Sequence, residues 1–166
     1  MKRYSEEEID QLIGCPKLIA DPPKKDFKID RGSRRNDMRL KAQDGDLEFS
    51  IFIRVNQDFE ENFSVGLVYH PKDEPGQFCL LRCNGPHGDF VGSPTSPHFL
   101  YHIHKAKPEN IEAGARAERG GEETDRYASY QQAIRYLLNV ANALNAEEYF
   151  PAMQLPLEFE RGGPGS

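Results

Sequence analysis

The chain has 166 residues, a length that suits one domain with a core of its own. Hydrophobic residues make up 37% and charged residues 29%, polar for a globular protein, yet 10% aromatics argue against a disordered chain. The net charge of −6 argues against a surface that coats nucleic acid from end to end, and no apolar run approaches the ~20 residues of a membrane span.

The charge is uneven along the chain. Residues 16–41 hold nine Lys and Arg against four Asp, a net +5, so the rest of the chain sums to −11. This is either a local basic patch on an acidic body or a solvated strand-and-loop region. Cys15, Cys79 and Cys83 are odd in number and lack metal-ligand spacing, and no apolar stretch follows the basic start Lys2-Arg3. These features lead us to expect a reduced, cytoplasmic protein without a secretory signal or a membrane partner.

In chain order, Ser5-Glu6-Glu7-Glu8 reads as a capping box, opening a short helix with Ile9, Leu12 and Ile13 on one face and its end at Gly14. Pro16 and Asp21-Pro22-Pro23 interrupt the chain behind it. The apolar period then changes from helical to two. Residues 36–42 place Asn36, Met38, Leu40 and Ala42 on one side, and Arg35, Asp37, Arg39 and Lys41 on the other. Asp44-Gly45-Asp46 marks a hairpin, and residues 47–55 return with Leu47, Phe49, Ile51, Ile53 and Val55 inward. After a polar loop from Asn56 to Asn62, residues 63–70 turn Phe63, Val65, Leu67 and Tyr69 inward. Residues 77–84 follow a turn, with Cys79, Leu81 and Cys83 on the core face as small packing groups.

Residues 84–97, with three Gly and three Pro, read as a loop, and residues 98–104 as the last strand. Pro108-Glu109 suggests a helix start, and the polar stretch from Glu112 to Asp125 reads as mobile. Ser129 and Gln132 form a second capping box. The helix behind it carries Tyr130, Ala133, Ile134, Leu137, Leu138, Ala141 and Leu144 on one stripe. The tail holds Leu155, Leu157 and Phe159, and residues 161–166 read as disordered. A sheet with one apolar face and a helix with one apolar stripe need each other. The expected fold is therefore α+β. About five strands form an antiparallel meander, open or curled, with the C-terminal helix packed on one face and a short N-terminal helix, as a single domain over residues 1–160.

Side chains two residues apart share a face. The face away from the helix then carries Ser50, Phe52 and Arg54, then Ser64, Gly66, Val68 and His70, then Arg82 and Asn84, and last His98, Leu100, His102 and His104. Four of the five histidines, His87, His98, His102 and His104, fall within 18 residues. Imidazoles give and take protons near neutral pH. Two of them beside an arginine suit a metal-free ribonuclease. One would take the 2′-hydroxyl proton, the other would protonate the leaving oxygen, and Arg82 or Arg35 would hold the phosphorane charge. The catalytic candidates are His87, His102, His104 and Arg82; the ligand contacts are Arg35, Arg54, Asn84 and His98. Alternatively, the histidines only hold the backbone of a Pro/Gly-rich segment, and Arg35 pairs with Asp37. A third possibility is a metal site, since the i, i+2 spacing of His102-Ile103-His104 on a strand aims two imidazoles at one point, with His98 as a third ligand. No P-loop and no Ser–His–Asp signature is present, and the expected chemistry uses no cofactor.

Arg82-Cys83-Asn84-Gly85-Pro86-His87, then Pro97-His98 and His102-Ile103-His104, followed by an acidic stretch and Tyr127-Ala128-Ser129-Tyr130-Gln131-Gln132-Ala133, resembles small bacterial toxins of type II toxin–antitoxin systems of the TumE kind. The resemblance covers residues 78–140. It departs at Gly85, which separates Asn84 from Pro86, and at Gly88, where a second His would stand. The strand Asn62-Phe63-Ser64-Val65-Gly66-Leu67-Val68-Tyr69 also resembles that of an uncharacterised family of small bacterial and phage proteins. The toxin resemblance implies action on RNA or translation, with a cognate antitoxin as partner. The expected function is thus a toxin-like, RNA-directed activity. The alternatives are a module that binds a nucleotide, a nucleic acid or a partner protein without turnover, and a metal-dependent enzyme built on the His-x-His pair.

Overall fold

Eight strands carry the molecule in the computed structural model, which describes residues 3–86 and 100–150. In chain order they are β1 (Lys17–Asp21), β2 (Lys28–Asp30), β3 (Ser33–Ala42), β4 (Glu48–Asn56), β5 (Phe63–His70), β6 (Phe78–Asn84), β7 (His102–Lys105) and β8 (Gly121–Glu123). The helices are α1 (Glu6–Gly14), α2 (Pro108–Glu112), α3 (Tyr130–Val140) and α4 (Ala146–Tyr149). The strands pair antiparallel in the order β1-β3-β4-β5-β6-β7-β8, with β2 also on β3, so the sheet stays open between the edges β1 and β8. The fold is the expected α+β meander, with three short strands added. β1 and β2 lie among charges and prolines, and β8 reads Gly-Glu-Glu, so none shows an apolar alternation.

One face of the sheet is the core. Met38, Leu40, Phe49, Ile51, Ile53, Val65 and Leu67 are buried there, as the alternation requires. α1 covers it with Ile9 and Ile13, and α3 with Ala133, Ile134, Leu137 and Leu138. The first cap forms as read, Ser5 accepting from the Glu8 amide while Glu8 accepts from the Ser5 amide; at the second, Ser129 accepts from the Gln132 amide, but Gln132 Oε1 accepts from the Ala128 amide, one residue before the expected partner. α3 stops at Val140, so Leu144 leaves the expected stripe and is 50% exposed.

Two other expectations are corrected. The register between β5 and β6 shifts from Leu67↔Leu81 to Val68↔Cys79, so a bulge inserts Leu80 into the core and reverses the phase behind it. Phe78 therefore faces the core and Cys79 the opposite side, where it lines a cavity; Leu81 and Cys83 stay inward. The stretch from Glu112 to Asp125 is built into the fold. Ala117 and Glu118 are buried, and β8 pairs with β7.

A seam joins the two ends of the described chain. The Lys17 side chain is fully buried, and its ammonium donates to the carbonyls of Ile13 (2.7 Å), Cys15 (3.0 Å) and Ala141 (2.9 Å) over the Phe49 ring. Three N–H groups meet three carbonyls at the C-terminal ends of α1 and α3, where the helix dipoles favour a cation. Burial still pushes the Lys17 amine down to about 8. Around it, the Lys17 amide donates to the Asn142 carbonyl, and the Asn145 side chain bonds both the amide and the carbonyl of Ile19.

Candidate functional site

The second face of the sheet is polar because each strand's alternation puts its polar residues there, and the register lines them up. Across five strands Arg35 faces Arg54, Arg54 faces Ser64, Ser64 faces Asn84, and Asn84 faces His102. A parallel row runs Asp37, Phe52, Gly66, Arg82, His104 and Gly121. Six residues singled out by sequence, Arg35, Arg54, Arg82, Asn84, His102 and His104, thus share one face in two adjacent rows. His87 and His98 lie outside the described residues.

The first row carries a directional hydrogen-bond chain. The Ser64 hydroxyl donates to Asn84 Oδ1 at 2.8 Å, and Asn84 Nδ2 lies 3.4 Å from His102 Nε2. His102 Nδ1 lies 2.7 Å from the Leu100 carbonyl, which can only accept. Nδ1 therefore carries the hydrogen and Nε2 accepts from Asn84. His102 is fully buried. The Tyr127 hydroxyl supports the arrangement from behind, within 3.0 Å of the Asn84 carbonyl and 2.8 Å of the His102 carbonyl. With both nitrogens engaged, His102 fixes Asn84 in place.

His104 is different. It is 4% exposed, and neither ring nitrogen makes a hydrogen bond among the described residues. Burial first, then the Arg82 and His102 side chains and Arg116, hold its imidazole down to about 4, against a weaker pull from the Glu118 backbone. It is neutral at pH 7. Gly121 lies flat against it: a β-carbon there would come within 2.8 Å of His104 Cε1.

The arginines converge beside it. Arg54, Arg82 and Arg116 line one cavity of about 400 Å³, with Ser64, Asn84 and His104. Arg82 Nε and Arg116 Nε both lie 3.5 Å from the same oxygen of buried Glu118. That is too loose for the Arg82 Nε to count as hydrogen-bonded. Burial works against the Arg82 charge, followed by Arg116 and, more weakly, Arg54. For Arg54, burial and then Arg35 do the same. Arg35 pairs with Asp30 at 3.5 Å rather than with Asp37, and stands outside the cavity. Three guanidiniums beside one cavity, two of them on a single carboxylate, form an arrangement that can hold an anion.

No family model, curated protein or solved structure matches this chain. The site's own geometry therefore carries the functional argument.

Among the described residues, no three His, Cys, Asp or Glu side chains converge as metal ligands would, and no helix is long and apolar enough to cross a membrane. Arg116 and Glu118 escaped the sequence reading because they sit in the stretch taken for a mobile segment. The only signal for them is physical: Arg82 on an inner strand needs an acidic partner from elsewhere in the chain.

Proposed function

We propose that this chain binds the phosphate group of a nucleotide or of single-stranded RNA in the arginine cavity, acting as a binding module. One observation carries the reading. Arg54, Arg82 and Arg116 enter one cavity, with Glu118 as the carboxylate shared by two of them. A bound phosphate would accept from the guanidiniums and relieve their mutual repulsion. Asn84, held by Ser64 and His102, would add a fixed polar contact. Calorimetric titration with nucleoside mono- and triphosphates tests it. The expected result is binding that weakens steeply with salt and falls roughly thirtyfold in Arg82→Ala. No binding by the native protein at any salt concentration would overturn it.

RNA cleavage remains as a second reading, supported by His104. It lines the cavity directly opposite Arg82, unbonded at both ring nitrogens among the described residues, and a bound phosphate that offset the arginine charge would raise its low basicity towards what a general base needs. In that reading the chain is a toxin-like ribonuclease, and a cognate antitoxin would cover the same face. End-labelled single-stranded RNA, incubated with and without EDTA, separates the two. Cleavage insensitive to EDTA and lost in His104→Ala supports the nuclease; binding without cleavage supports the module.

A further inference from the structure

The phosphate cavity has a neighbour. A second cavity of about 570 Å³ adjoins it, walled by Val68, Cys79 and Ile111 with Glu74 and Glu118, and the two share Phe52 and Arg116. Phe52 is half-buried and its ring lies across Gly66 on the next strand. A β-carbon at 66 would fall 2.3 Å from Phe52 Cε2, so only glycine lets the ring lie flat there. Phe52 and Arg54 are two residues apart on β4 and share its cleft face, a spacing of about 6.6 Å along the strand. One ribose spans a gap of that order between a phosphate and its base.

We infer that Phe52 is the stacking platform for the base of a nucleotide whose phosphate sits among Arg54, Arg82 and Arg116. The inference rests on the phosphate-binding reading above and adds the ligand class to it: a nucleoside phosphate rather than a bare phosphate or a sugar phosphate. The supporting argument is continuity. A ligand anchored by the arginines meets the Phe52 ring at the junction of the two cavities, and beyond it the lining adds apolar groups such as Val68 and Ile111 among polar ones such as Glu74 and Gln77. Every base presents a flat π-face, so stacking on a phenyl ring rewards any of them, and the platform tolerates different bases.

The sequence contains no tryptophan, so Phe52→Trp installs a single tryptophan at the junction, excited apart from the tyrosines. Adenosine and uridine monophosphates are titrated against this variant, with ribose 5-phosphate as the baseless control. Calorimetry with the same three compounds is run on the native protein and on Phe52→Leu, which keeps an apolar cover over Gly66 without a π-face. We expect nucleotides to quench the tryptophan and ribose 5-phosphate to leave it bright. We also expect native protein to favour nucleotides over ribose 5-phosphate by roughly five- to a hundredfold, and Phe52→Leu to bring that ratio towards one. A tetranucleotide distinguishes the source: tighter binding than the monomer marks a strand as the ligand, equal or weaker binding a free nucleotide. If ribose 5-phosphate binds the native protein as tightly as the nucleotides, the stacking inference is overturned while phosphate binding stands. If neither binds, both fall.

Discussion

Lys17 and His104 are buried polar groups, the latter beside a half-buried Arg82, and they are held in opposite ways. Lys17 sits on the core side with all three N–H groups on carbonyls, so nothing further is needed to satisfy it. On the cleft side, beside an open cavity, both His104 ring nitrogens and the Arg82 Nε find no hydrogen bond among the described residues. A buried polar atom without a partner costs stability. Where its partners are complete the group serves the fold; where they are missing beside a cavity is where the proposed ligand would bind.

Changing Lys17 gives the largest effect. Lys17→Met should cost about 3 kcal/mol or more, since three helix-end carbonyls lose their donor, with nucleotide affinity in the surviving fold unchanged. Urea unfolding checks it, and an unaltered midpoint would remove Lys17 from the seam.

Acid should act through the other pair at a similar scale. His104 ordinarily titrates at 6.5 and is held down to about 4 in the fold. Above pH 6.5 it is neutral in both states and stability is flat. As pH falls from 6.5 towards 4 the unfolded chain takes a proton the folded one refuses, and about 3 kcal/mol is lost. His70, also held low by burial and Arg39, adds in the same direction. Comparing unfolding of the native protein and His104→Leu at pH 7.5 and 4.5 isolates the first. An identical pH dependence in the two proteins would refute the assignment.

Arg82→Ala should weaken phosphate binding by about 2 kcal/mol, roughly thirtyfold, while also lifting His104 back towards its ordinary value and flattening the acid transition. Both are read on one variant, and unchanged affinity would take Arg82 out of the site. Arg39, paired with Glu48 at 3.3 Å but 53% exposed, is the control. Arg39→Ala should change stability by less than about 0.5 kcal/mol, because water already solvates that charge.

Much of this contrast was legible in the residues. Alternation in 47–55 and 63–70 places Arg54 and Ser64 on one face, and the pairing of β6 with β7 sets Asn84 opposite His102. The Leu80 bulge was not legible. In Phe78-Cys79-Leu80-Leu81 every residue is apolar, so no polar residue shows where the phase turns. Nor was the division of labour between His102 and His104. Both lie on the same face two residues apart, and only the neighbours brought by the register, Asn84 for one and Arg82 for the other, separate a positioning group from a cavity-facing one. Arg116 and Glu118 arrive from a polar segment whose burial depends on tertiary contacts alone.

The Lys17 seam also sets a timetable. Its partners Ile13 and Cys15 are neighbours in sequence, but Ala141 lies 124 residues away, and Asn145 meets Ile19 across 126. During synthesis the ammonium must therefore wait in water, with β1 unfinished, until α3 and its C-terminal Ala141 have been made. The first strand of the sheet is among the last to be locked. A contact closed that late contributes little to the folding rate and much to the barrier against unfolding, so changes at Lys17 should shorten the lifetime of the native state far more than they slow its formation.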